Sequence, residues 1–196
     1  EKGCPTLGQN RQFQYFKEPT YIYPVVPAQA ATLLRDAGNK VIWNDCLAEG
    51  WDMPSFLDFI KKEKPDIILF ESKTPIIKQH WKIIDAIKGL FPKGAGPKVV
   101  LCGDHVTALP EESFHKSQVD FVITGGDYDF LLLNLSKVIS RMHSGIDDLH
   151  DNLASELAPG IWYRSHGHLK SSGDSQLNHD LDELPFIDRD LTKWQL

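Results

Sequence analysis

Residues 98–124 read KVVLCGDHVTALPEESFHKSQVDFVIT. The stretch opens on an unbroken apolar run, KVVLC, and closes on another, DFVIT. A strand without polar alternation is one covered on both faces, as in a parallel sheet. Between the runs lie a loop carrying Gly103, Asp104, His105 and Thr107 and then Pro110-Glu111-Glu112. That triplet predicts a short helix start, with proline in the first turn and acids favoured by the helix dipole. Strand, loop, helix, strand is a right-handed crossover unit.

The same alternation extends outward. Upstream, DIILF (66–70) is a strand, followed by a helix for which Thr74-Pro75 supplies cap and first turn. Ile76, Ile83 and Ile87, with Ile77, Trp81 and Ile84, form its apolar stripes, and Phe91-Pro92 closes it. Asp52 and Ser55 compete to cap the preceding helix, which buries Phe56, Leu57, Phe59 and Ile60. Further back, KVIWN (40–44) predicts a strand. Before it, Ala30, Leu33, Leu34 and Ala37 mark a helix that starts near Pro24 and Pro27 and stops at Gly38. Downstream, Gly125-Gly126 is a tight turn, and Asp127 caps a helix to about Met142.

Apolar strands alternating with helices predict an α/β fold: a Rossmann-like (flavodoxin-like) open parallel sheet with helices on both faces. Such a domain starts with a strand, whereas residues 1–20 read as a loop. The first strand is therefore expected to be missing, with residues 13–16 or 21–23 partly replacing it. The domain is expected over 1–143. Residues 144–196 then form a polar linker, a small β-hairpin of GIWYR (160–164) and HLKS (168–171), and a lead-out, LDELPFIDRD (181–190).

Composition limits the partners. The 196 residues carry a net charge of −6, and nucleic acid or an anionic membrane prefers a basic surface. No apolar run approaches the roughly 20 residues that span a bilayer, and the polar first ten residues are not a signal peptide. Cys4, Cys46 and Cys102 lie far apart, so no local metal or cluster motif exists. Cys46 and Cys102 read as buried free thiols, which suits a reducing cytoplasm.

Ligands of open parallel sheets bind beyond the carboxyl ends of the strands. That rule selects Glu71-Ser72-Lys73-Thr74, Gly103-Asp104-His105-Val106-Thr107-Ala108 and Gly125-Gly126-Asp127. Glycines there admit a ligand to the backbone, and hydroxyls can bond it. The plainer reading is ordinary turns and caps, above all for Thr74 and Asp127. Gly94-Ala95-Gly96 precedes a strand and is no dinucleotide fingerprint, and neither a Walker A loop nor a GxSxG elbow occurs. His166 and His168 read as exposed turn residues, and His80, beside Trp81 on a helix, as structural.

Taken together, these segments resemble the cobalamin-binding domains at the N-terminus of radical SAM enzymes. Residues 103–112 (GDHVTALPEE) are similar to a GGxHxTxxPEE segment. Residues 33–41 (LLRDAGNKV) resemble the "L+xAGHxV" helix-to-strand junction, and 119–127 (VDFVITGGD) resemble "VDxVVxGEGE". The "GxxYR" strand and the "LDxLPxPxRD" bridge into the radical SAM barrel have counterparts at 160–164 and 181–186. The nearest subgroup is the anaerobic magnesium-protoporphyrin IX monomethyl ester oxidative cyclase type. The resemblance implies a cobalamin over the carboxyl edge of the sheet. Ser72, Lys73 and Thr74 would meet its nucleotide tail, Gly103, Asp104, His105 and Thr107 would line the loop beside it, and Gly125, Gly126 and Asp127 would allow close approach. The [4Fe–4S] cluster and S-adenosylmethionine would belong to a downstream barrel, so no catalytic residue is expected in this chain.

The departures from that family are specific. The DxHxxG motif that supplies a cobalt-ligating histidine is absent, because Asp104 and His105 are adjacent, so no protein metal ligand is expected. Asp104 replaces a common Gly and Gly126 a common Glu. The competing readings are a Rossmann-like module that has lost cobalamin and serves a structural or interaction role, a signalling receiver, and a nucleotide-dependent transferase half. A receiver needs an Asp after its third strand and a Lys after its fifth, where this chain has Glu71 and Gly125. The transferase half would need a diphosphate-binding motif.

Overall fold

The computed structural model describes residues 4–7, 13–16, 23–46, 48–143 and 149–195. They fall into two compact units, Glu1–Phe56 with Leu181–Leu196, and Leu57–Asp180.

The larger unit holds a five-stranded sheet. Strands β3 (Ile67–Glu71), β4 (Lys98–Cys102) and β5 (Phe121–Ile123) run parallel. Strands β6 (Ile161–Ser165) and β7 (His168–Ser171) continue the same sheet antiparallel, giving the order β3-β4-β5-β6-β7. The fold is thus the expected α/β, Rossmann-like one with a small C-terminal hairpin. The hairpin turns on His166 and Gly167, whose φ angles of 51° and 82° are both positive, as a two-residue turn of the favoured hand requires. Helices α3 (Ile77–Gly89), α4 (Asp104–Ala108), α5 (Pro110–Lys116), α6 (Tyr128–His143) and α7 (Leu149–Glu156) surround the sheet.

The apolar pattern fixes the core. β4 is buried from Val99 onward, β5 throughout, and α3 contributes Ile77, Trp81, Ile84 and Ile87. On α6, Tyr128, Leu131, Leu132, Leu135, Val138 and Ile139 are buried at helical spacing. Asp120 anchors the entry to β5 by accepting from the Val99 N–H at 2.7 Å and pairing with Lys88.

Residues 144–159 are not a featureless linker. The described part contains α7, and Asn134 on α6 holds it by donating to the Glu156 carbonyl (3.2 Å) and accepting from the Ala158 N–H (2.8 Å). Leu153 and Leu157 are buried, so two apolar residues in a polar stretch suffice to seat a short helix. Asp147 and Asp148 lie outside the described residues.

The smaller unit contains β1 (Cys4–Leu7) paired antiparallel with β2 (Phe13–Phe16), and α1 (Val25–Asp36). The N-terminal stretch is therefore not one loop. Residues 13–16 do form a strand, but they pair with residues 4–7 rather than with the main sheet. Of residues 21–23 only Tyr23 is described, and it is not in a strand.

The expected strand at 40–44 is not formed. A strand exists only against a neighbour that completes its hydrogen-bond ladder, and no strand pairs with these residues among those described. The buried face of α1 also differs, comprising Ala28, Ala30, Ala31 and Thr32, while Ala37 is exposed. The lead-out explains the change. Thr32 accepts from the Asp188 N–H at 3.0 Å, Gln29 donates to the Pro185 carbonyl, and Arg35 pairs with Asp188. Small residues let that segment lie close. Cys46 is half-buried rather than buried, whereas Cys102 is fully buried.

Helix α2 (Met53–Glu63) is capped by Asp52, whose carboxylate accepts from the Ser55 N–H at 2.9 Å. The Ser55 hydrogen bonds lower the Asp52 pKa, so Asp52 is the cap of the two candidates.

Candidate functional site

The carboxyl ends of β3 and β4 are level, because Glu71 pairs with Cys102. Ser72 extends that pairing by one residue, donating its N–H to the Cys102 carbonyl at 2.8 Å. The Ser72 side chain is fully buried, with Oγ 2.9 Å from Nδ1 of His80 on α3. Burial pushes the His80 pKa down to about 4, so His80 stands as a neutral partner for the Ser72 hydroxyl. The sequence marks His80 as structural, but it lies eight residues from Ser72 across a turn, and no spacing rule links the two.

Gly103 follows β4 with φ of 107°. A Cβ there would lie 2.5 Å from the Ser72 carbonyl oxygen, nearer than non-bonded atoms tolerate, so only glycine lets the second loop pass the first. Beside this crossing, Lys73 joins the loops, with Nζ 3.0 Å from Glu71 Oε1 and 3.1 Å from Asp104 Oδ2. Burial disfavours the Lys73 charge, but hydrogen bonds and attraction from Glu71 and Asp104 outweigh it, and the Lys73 pKa is raised. Two carboxylates thus hold one ammonium, and the cluster carries a net negative charge.

Thr74 does not cap α3, which starts at Ile77 without a side-chain cap. Its Oγ1 lies 3.1 Å from Nδ1 of His105 on α4. The other ring nitrogen, Nε2, lies 3.0 Å from Glu112 Oε2 on α5. Both nitrogens of the buried His105 are therefore engaged within the protein. In the sequence Glu112 stands out only for its place in a first helical turn, whereas the structure brings it to the site. Thr107 returns its hydroxyl to the Gly103 carbonyl at 2.9 Å and accepts from the Gly125 N–H at 3.1 Å, which ties the second loop to the third.

The third loop is enclosed differently. A Cβ on Gly125 would meet Ser175 at 2.7 Å, and one on Gly126 would meet Leu177 at 3.2 Å. The room these glycines leave is taken by residues 175–177 of the same unit. Asp127 points to this segment as well, with Oδ2 3.0 Å from His179 Nδ1, and the His179 ring stacks on Phe130 at 4.4 Å and 4°. Tyr128, next in sequence, is buried with its hydroxyl lacking a hydrogen-bond partner among the described residues. Burial, followed by the nearby Cys102, Glu71 and Asp129, raises its pKa. Its phenol stays neutral, a donor in need of an acceptor.

Among the described residues, no three His, Cys, Asp or Glu side chains cluster as a metal site, and no helix is long and apolar enough to cross a membrane.

No protein-family model matches the sequence, and no curated protein matches it significantly. Solved structures do match. A radical S-adenosylmethionine methyltransferase, TsrM, from Kitasatospora setae, with cobalamin and a [4Fe–4S] cluster bound, superposes with a TM-score of 0.64 at 18% identity. The match covers 87% of this chain and 29% of the methyltransferase. The same enzyme with tryptophan substrate and a SAM analogue gives 0.60 at 20% identity, over 78% of this chain and 28% of that one. At such identity the likeness establishes a shared fold, and this chain spans less than a third of its neighbours' length.

Proposed function

We propose that this chain is the cobalamin-binding module of a larger B12-dependent radical SAM enzyme, of oxidative cyclase or methyltransferase type. The observation that carries the proposal is the superposition of most of the chain on an enzyme solved with cobalamin bound. The corrin would lie at the carboxyl edge of β3, β4 and β5, where the sequence motifs and the loop geometry coincide.

The residues present fit such a group. Gly103 keeps the loop backbone close against Ser72, Thr74 is an exposed residue with a hydroxyl, and Tyr128 offers a buried donor without a partner among the described residues. When bound, the corrinoid supplies a redox-active cobalt. This chain binds and orients it, and His105 keeps both ring nitrogens for Thr74 and Glu112 rather than for cobalt. The cluster and S-adenosylmethionine fall to the partner barrel, since the three cysteines here form no CxxxCxxC.

A second reading, a module that keeps the fold without the cofactor, draws on two observations. Ser175 and Leu177 occupy the room at Gly125 and Gly126, and the Glu71-Lys73-Asp104 cluster is net negative, which repels a phosphodiester. The readings separate on mixing the chain with hydroxocobalamin, removing free ligand by gel filtration and recording the visible spectrum. Retained corrin absorbance near one per chain is expected. Its loss on the column favours the second reading.

A further inference from the structure

Glu112, His105 and Thr74 form a continuous hydrogen-bonded line from α5 through a buried imidazole to the exposed edge of the sheet. The two distances are 3.0 Å and 3.1 Å, His105 is 6% exposed, and Thr74 is exposed. The Trp81 ring stands edge-on to His105 at 6.1 Å and limits its rotation.

We propose that Glu112 and His105 are positioning residues that fix the Thr74 hydroxyl as a hydrogen-bond acceptor toward bound ligand. A carboxylate only accepts, so the Nε2 of His105 carries the proton given to Glu112. In a neutral imidazole the other nitrogen is then bare and accepts. Thr74 must supply that hydrogen, which spends its single donor inward and leaves its oxygen lone pairs facing outward. A ligand group that donates is matched there. A group that only accepts would set lone pairs against lone pairs.

The consequence for ligand chemistry rests on the cobalamin reading above. A corrinoid carries donors, in its side-chain amides and ribose hydroxyl, and an acceptor-only phosphodiester. Thr74 selects an amide N–H or the ribose hydroxyl and turns away the phosphodiester. Lys73 does not counter this, since both Glu71 and Asp104 hold its ammonium.

The relay is tested first without ligand. Long-range proton–nitrogen correlation spectra of the 15N-histidine-labelled full chain, at mildly alkaline pH, report the His105 tautomer. Protonated Nε2 with bare Nδ1 is expected, lost in Glu112→Ala and restored in Glu112→Gln, whose amide oxygen still accepts. A wild-type His105 protonated on Nδ1 overturns the proposal. Hydroxocobalamin binding is then titrated. Thr74→Val is expected to weaken binding about tenfold, the worth of one hydrogen bond, while Thr74→Ser restores it and the tautomer stays unchanged. Equal affinity of wild type and Thr74→Val also overturns the proposal. A wild-type chain that binds no corrinoid removes the cobalamin reading instead, and the ligand-free spectrum still decides the relay.

Discussion

The loops after β3 and β4 and the loop after β5 carry the same sequence signature, small and polar residues directly after an apolar strand, yet they are built in opposite ways. The first two are joined by side chains across strands: Lys73 with Glu71 and Asp104, and Thr74 with His105. Their edge stays open at Thr74, Asp104 and Thr107. The third is partly covered by the chain itself, with Ser175 against Gly125, Leu177 beside the still exposed Gly126, and His179 on Asp127 and Phe130. A glycine after a strand thus marks close approach without saying of what. At Gly103 the approaching atom belongs to backbone and at Gly125 to a serine side chain.

The contrast breaks first at these two glycines. Gly103→Ala drives a Cβ into the Ser72 carbonyl at positive φ, and a loss of about 4 kcal/mol is expected, combining backbone strain with a displaced strand end. Gly125→Ala shares the positive φ but meets only Ser175, whose non-helical, non-strand segment can shift, so about 2 kcal/mol is expected. Urea unfolding of both variants checks the order, and equal losses would show that the loops are not built differently.

Acid acts on the first pair of loops through His80. Its pKa falls from an ordinary 6.5 to about 4, so the folded state binds this proton less readily than the unfolded chain. The contribution is fully present above pH 6.5 and is lost as pH falls through 4. At about 1.4 kcal/mol per pH unit it amounts to on the order of 3 kcal/mol. Urea midpoints across that window should fall more steeply for wild type than for His80→Asn. Parallel curves would show that burial of His80 does not set the pH response.

The smallest effect concerns the third loop. His179→Ala removes one hydrogen bond and one ring stack, about 1 kcal/mol together. Amide exchange over 172–180 should quicken while β4 stays protected, and hydroxocobalamin affinity should rise if the segment competes with the ligand. Unchanged exchange would show that the side chain does not hold the segment.

Much of the fold was legible because strands of a parallel sheet write themselves as apolar runs, although the first of the three, β3, is only half-buried. DIILF, KVVLC and DFVIT all became neighbours in one sheet. KVIWN has the same look and formed no strand, since composition states a preference and a ladder needs a partner. The hairpin was legible from Ser165-His166-Gly167 between two short strands, although Ser165 belongs to β6 and the turn itself is His166-Gly167. α7 was not, because its burial depends on Asn134, fifteen residues before α7 begins. At the site, loop positions followed from the sheet rule, but pairings did not. That Thr74 would meet His105, or that Glu112 would complete the line, depends on how α4 and α5 turn, which no local spacing encodes.

On the proposed function, the edge formed by β3, β4 and β5 receives a cobalamin. Equilibrium dialysis of the full chain against hydroxocobalamin puts this to the test. Saturable binding of one corrinoid per chain, abolished in a folded variant that blocks the edge at Thr74 and Asp104 with tryptophans, is the predicted result. Uptake that never saturates, or that the blocked variant shows equally, would contradict it.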